Sequence, residues 1–140
     1  MGVCVKSSRR EFRTGYMTFN YLRTRIAGML GDEWRTHYNA MLTAPYDMIW
    51  SEYDDLTERM AESLPEGDLP VLDFLYAPDC EGEMDPEHCR ALASLMDRTR
   101  EEWQDEGRSY AYAAYDPFTL ADFYNLVQDG WDTGEGISWV

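Results

Sequence analysis

The chain has 140 residues, 12 basic and 27 acidic side chains, and a formal net charge of −15. That length predicts one domain over residues 1–140 and leaves no room for a two-domain enzyme. The charge argues against direct binding to DNA, RNA or anionic lipid, and no apolar run nears the roughly 20 residues of a membrane span. With 44% apolar and 14% aromatic residues, the composition is that of a folding chain rather than a disordered one.

In chain order, Val3-Cys4-Val5 and Glu11-Phe12-Arg13 flank a polar stretch and predict a short hairpin. Thr18 is placed to cap a helix carrying Phe19, Leu22, Ile26, Met29 and Leu30 at helical spacing, with Gly31 as its stop. Asp32 is placed to cap a second helix through Trp34, Tyr38, Met41 and Leu42, which Pro45 breaks. A third fits residues 46–63 with Ile49, Tyr53, Leu56 and Met60 on its core face, and residues 65–68 form a turn. Pro70 opens a short apolar helix, and residues 77–84 are expected as a loop.

Asp85-Pro86-Glu87 combines a capping acid, a first-turn proline and a second acid at the positive helix end. That helix is expected to reach Gly107 with Cys89, Leu92, Ala93, Met96 and Trp103 on one face. A last helix is expected to begin at Asp116-Pro117 and stop at Gly130, with Leu120, Phe123, Leu126 and Val127 inward. The tail Ile137-Ser138-Trp139-Val140 reads as a strand pairing with the hairpin. The expected fold is α+β and mainly helical, with about five helices and a small antiparallel sheet made by the N-terminal hairpin and the C-terminal strand.

Charge is unevenly distributed. Residues 1–31 hold six basic groups and one acid, a net +5, while residues 32–140 hold the other six basic groups and 26 acids, a net −20. Such a chain can lay its basic segment against acidic elements, or present one large negative face to a partner. Cys4, Cys80 and Cys89 are odd in number and fit no familiar disulfide spacing, so a reducing cytoplasm is the expected location.

The most distinctive stretch is residues 74–89, in which Pro78-Asp79-Cys80-Glu81-Gly82 leads to Asp85-Pro86-Glu87-His88-Cys89. It resembles small bacterial and phage proteins in which an apolar helix runs into a Ser-Asp-Cys-(Asp/Glu)-Gly loop, then into a Pro-Glu helix start with a second Cys. Ala77-Pro78 stands where that family more often has His-Ser. The resemblance implies a compact intracellular domain and carries no assigned activity.

The same loop looks like half of a calcium loop if Gly82 takes the tight-turn position. Asp79, Glu81, Glu83 and Asp85 would then form a metal- or small-ligand-binding regulatory site. The match fails where affinity is set, because Ala77 and His88 fall on the first and bidentate ligand positions. The structural alternative is a turn at Gly82 and a helix cap at Asp85. Zinc at Cys80, His88, Cys89 and either Cys4 or His37 has the right ligand types but no familiar spacing, and Cys89 reads as a small buried hydrophobe. No cofactor is implied.

Nor is an enzyme. Neither His37 nor His88 sits in a nucleophile context, and no glycine-rich phosphate loop, Gly-x-Ser-x-Gly elbow or His-Glu-x-x-His is present. Two acidic groups carry the functional reading instead. Asp54, Glu58 and Glu62 recur at four-residue intervals on one helix face, where like charges weaken the helix. Glu101, Glu102, Asp105 and Glu106 close the helix after residue 86 at its negative end, relieved in part by Arg98 and Arg100. Asp55 and Arg59 form an ordinary favourable pair.

A duplex as long as a domain of this size carries on the order of 20 phosphates. A body of net −20 could match that density if its charges gather on one side. The expected function is therefore a non-enzymatic acidic protein that inhibits a basic nuclease or other nucleic-acid-binding complex by mimicking nucleic acid, as a phage counter-defence inhibitor or a toxin-immunity protein does. Trp34, Trp50, Tyr53, Trp103, Tyr110 and Tyr112 would supply its apolar anchors. The alternatives are the ligand-binding domain centred on residues 79–85, and a domain whose acidity serves only solubility.

Overall fold

The computed structural model describes residues 2–104 and 118–140. The hairpin forms as β1 (Val3–Lys6) and β2 (Glu11–Thr14), with Val5 opposite Phe12. Next come α1 (Tyr16–Leu30), α2 (Asp32–Thr43) and α3 (Trp50–Ala61). A 3₁₀ turn over Glu66–Asp68 leads into α4 (Leu69–Leu75). Then follow β3 (Gly82–Met84), α5 (Pro86–Arg98), α6 (Arg100–Trp103), α7 (Leu120–Thr133) and β4 (Ile137–Trp139).

The fold is α+β, as expected, but it has seven α-helices among the described residues rather than about five. One reason lies at Thr99, whose hydroxyl donates back to the Leu95 carbonyl and whose backbone leaves the helical region. This divides the single helix expected after residue 86 into α5 and α6.

The sheet is antiparallel in the order β2-β1-β4-β3. The C-terminal strand pairs with the hairpin as expected, Val5 opposite Trp139, and also recruits β3, where a loop is expected over residues 77–84. Gly82 makes this possible. It is a strand residue rather than a turn residue, and the Trp139 indole lies where a Cβ would project.

Other boundaries shift for local reasons. Gly15, not Thr18, caps α1, and Thr18 is buried. Helix α3 starts at Trp50, since residues 45–47 turn first. Of its expected core face only Tyr53 is buried; Ile49 is 59% exposed and Leu56 42% exposed. Helix α7 opens on a capping box in which Thr119 and Asp122 exchange hydrogen bonds. It then runs through Gly130 to a left-handed Gly134, with φ 72°. Gly130 is no stop: Cys89 Sγ and the Gly136 backbone close on it, leaving no room for a side chain.

One cluster of apolar side chains joins the sheet to α1, α4, α5 and α7, built around Phe19, Phe74, Phe123 and Trp139. Three buried charges are fixed into it. Arg23 lies between the Phe19 and Phe74 rings and donates to the carbonyls of Phe74 and Ala77, holding the end of α4 in place. Asp68 accepts from Arg98 at 2.7 Å. Asp129 of α7 accepts from Arg10 Nε at 2.8 Å and Ser7 Oγ at 3.1 Å, with Arg9 3.6 Å away. The basic opening segment thus lies against a buried acid of α7 at the hairpin turn.

Candidate functional site

Helix α4 separates two open clefts that meet at Asp73 and Ala77, residues lining both. The larger, about 800 Å³, lies between the β1–β2 turn, the β3–α5 junction and the approach to β4. Glu83, Asp85 and Glu135 line it, with Lys6 and His88 as its cations. The smaller, about 440 Å³, lies between α3 and α4, and its carboxylates are Asp54, Glu58 and Asp73. Together they form a trough to which α3, α4, the β3–α5 junction and the approach to β4 contribute six carboxylates.

His88 organises the middle of this trough. Asp85 caps α5 by accepting from the His88 backbone N–H at 2.8 Å and from its Nδ1 at 2.7 Å. Asp73 accepts from Nε2, also at 2.7 Å. Burial alone would lower the His88 pKa, but bonds to both carboxylates and their charges outweigh it and raise the value. The His88 backbone N–H, followed by its ring, lowers the Asp85 pKa. An imidazolium that donates from both nitrogens has no lone pair left to take a proton, so His88 in this setting staples α4 to α5 and is no general base.

The second histidine is also committed. His37 of α2 stacks on Tyr53 of α3 with ring centroids 4.0 Å apart, and its Nε2 lies 2.6 Å from Thr57 Oγ1. Thr57 gives its only hydroxyl proton to the Tyr53 carbonyl, so Nε2 donates to Thr57 and does not activate it. Burial lowers the His37 pKa. Tyr53 in turn meets Tyr76 hydroxyl to hydroxyl at 3.0 Å, which ties α3 to α4.

The structure divides the sequence-predicted sites. Asp54 and Glu58 line the trough, while Glu62 follows the end of α3, exposed, and lines neither cleft. Among the described residues, Asp54, Glu58 and Glu62 have no basic side chain within ion-pairing distance, and the Asp55–Arg59 pair is absent. Glu101 and Glu102 are exposed on α6, away from the trough, and Asp105 and Glu106 lie outside the described residues. Arg98 and Arg100 do not relieve Glu101 and Glu102; they pair with Asp68 and Asp97.

Nor are the carboxylates of residues 79–85 brought together. Asp79 accepts from Asn20 at 3.4 Å beside Arg23, Glu81 is exposed, and Glu83 and Asp85 face the larger cleft. Among the described residues no three His, Cys, Asp or Glu side chains are grouped to hold a metal ion. Cys80 is exposed, whereas Cys89 is buried against Gly130, where desolvation pushes its thiol pKa up to about 12. Of the expected aromatic anchors, Trp34, Tyr53 and Trp103 are buried and Trp50 is half-exposed. Tyr110 and Tyr112 lie outside the described residues.

Sequence reasoning missed Lys6, Asp73 and Glu135 as trough residues. The three-residue spacing of Asp85 and His88 at a helix start signals their contact, but nothing local signals Asp73. Among the described residues no helix is long and apolar enough to cross a membrane. No family model matches the chain, and no curated protein or solved structure does either.

Proposed function

We propose that this chain is a non-enzymatic acidic binding protein that occupies the cationic surface of a nucleic-acid-handling partner, as a phage counter-defence inhibitor or a toxin-immunity protein would. The observation that carries the reading is the trough. Six carboxylates from four parts of the fold face it against Lys6 and His88, and His88 is already neutralised by Asp73 and Asp85.

Several arginines are already engaged elsewhere. Those at residues 9, 10, 98 and 100 are spent on Asp129, Asp68 and Asp97, so they leave the trough unscreened. Unpaired carboxylates at close range raise the local negative potential, which steers a basic partner and disfavours nucleic acid itself. The two committed histidines support the absence of catalysis in this reading, since neither presents a free basic nitrogen beside a nucleophile. A cytoplasmic location fits a partner that handles nucleic acid.

The experiment is affinity capture on the immobilised chain from the native host at low and at high salt. A basic nucleic-acid-binding protein held at low salt and released at high salt is the expected result. Retention of nothing, or of a partner indifferent to salt, contradicts the reading.

A further inference from the structure

Nine large apolar side chains are exposed among the described residues, and five of them fall within residues 42–56: Leu42, Tyr46, Ile49, Trp50 and Leu56. Tyr46 is fully exposed, in the turn that joins α2 to α3. Ile49 and Leu56 stand seven residues apart, two helical turns, on one side of α3. Single exposed apolar groups are ordinary, whereas a run of this density on one corner marks a contact surface.

The same stretch fixes the chemistry of what covers it. Between residues 42 and 58 the chain carries Asp47, Glu52, Asp54, Asp55 and Glu58, all exposed, and no basic residue; Arg59 is the first. A second copy would set these carboxylates against one another on a chain of net −15, so self-association is opposed.

We infer that the α2–α3 corner is the apolar anchor of the complex, docking a protein surface that presents apolar side chains ringed by lysine or arginine. The inference rests on the proposed function and adds to it the element that makes contact and the amphipathic character of the partner. Asp54 and Glu58 turn toward the trough while Ile49 and Leu56 lie on the other flank of α3, so one partner gripping this helix satisfies both. Pure charge attraction needs only the first flank; the corner makes the recognition specific.

The test is calorimetric titration at low salt of the full chain with two probes, a helical Leu/Lys peptide with one apolar face and an oligolysine of equal charge. The wild-type chain is expected to bind the amphipathic peptide about tenfold more tightly than oligolysine. The double variant Ile49→Ser/Leu56→Ser is expected to lose that preference while still binding oligolysine. Met17→Ser, which removes an equally exposed apolar group from α1, is expected to keep it. Both substituted residues of the double variant are exposed, and its helical circular dichroism is checked first.

Equal affinity for the two probes in the wild-type chain, or a preference that survives in Ile49→Ser/Leu56→Ser, overturns the inference and leaves the proposed function standing. A concentration-dependent dimer abolished by the same double variant also overturns it, in favour of a second copy. Failure of the wild-type chain to bind either cationic probe overturns both.

Discussion

The imidazole of His88 on α5 donates to Asp73, fifteen residues earlier on α4, across 2.7 Å, while its other nitrogen donates to Asp85 at the same distance. This one side chain neutralises the centre of the trough and ties two helices that would otherwise meet only through their apolar faces. Its raised pKa turns the contact into a pH-dependent one.

The sign follows from linkage. A histidine whose folded value lies above its unfolded value of about 6.5 contributes its full stability below that pH and loses it as pH rises through the folded value. His88→Ala is therefore expected to cost about 0.5–1 kcal/mol near pH 5.5, where the carboxylates remain ionised, because both carboxylates are largely solvated. Near pH 9 the charge-dependent part of that cost is expected to vanish. Urea denaturation of both proteins at the two pH values measures it, and an equal cost at both would show that the ion pairs do not matter.

Gly82 lies flat beneath the Trp139 ring, and this contact decides whether β3 joins the sheet. A methyl group there cannot coexist with the indole in its present place, and Trp139 is buried and bonded through its Nε1 to the Pro78 carbonyl at 2.9 Å. Gly82→Ala is expected to destabilise the fold by about 1–3 kcal/mol and to change the near-ultraviolet dichroism of the tryptophans. Unchanged stability would mean that the strand shifts freely.

Asp129 is a buried carboxylate whose partners, Arg9, Arg10 and Ser7, all come from the hairpin turn. Asp129→Ala removes the acceptor and leaves two exposed arginines that return to water, so the loss is that of charge-assisted hydrogen bonds, about 1–3 kcal/mol. Amide exchange is expected to rise first across β1 and β2. Exchange that rises evenly over the molecule would contradict a local latch.

Where the chemistry is local, the residues were enough. Asp85-Pro86 announces a helix start, and the hairpin follows from two short strands around a polar turn; Asp32, expected as a cap, is instead the first residue of α2, with Gly31 at the cap and no side-chain bond there. The failures are non-local. Gly82 and Gly130 look like turn and stop signals because glycine usually is one, yet each yields to a distant side chain, Trp139 or Cys89. The stripe of Ile49, Tyr53, Leu56 and Met60 has the period of a buried face, but periodicity does not say whether a neighbour arrives, and Ile49 and Leu56 stay exposed. The Asp54–Glu58 spacing was legible; its meeting with Asp73 depends on how α3 lies against α4.

In the proposed function, carboxylates gathered in the trough and along α3, rather than the net charge alone, drive association with a cationic protein. The slope of log affinity against log salt, measured for oligolysine with the wild-type chain and with Asp54→Asn/Glu58→Gln/Glu62→Gln, tests it most directly. Weaker binding and a shallower slope are expected for the triple variant, and little change for Glu101→Gln/Glu102→Gln on α6. The same loss per charge removed in both variants would mean that net charge alone governs the association.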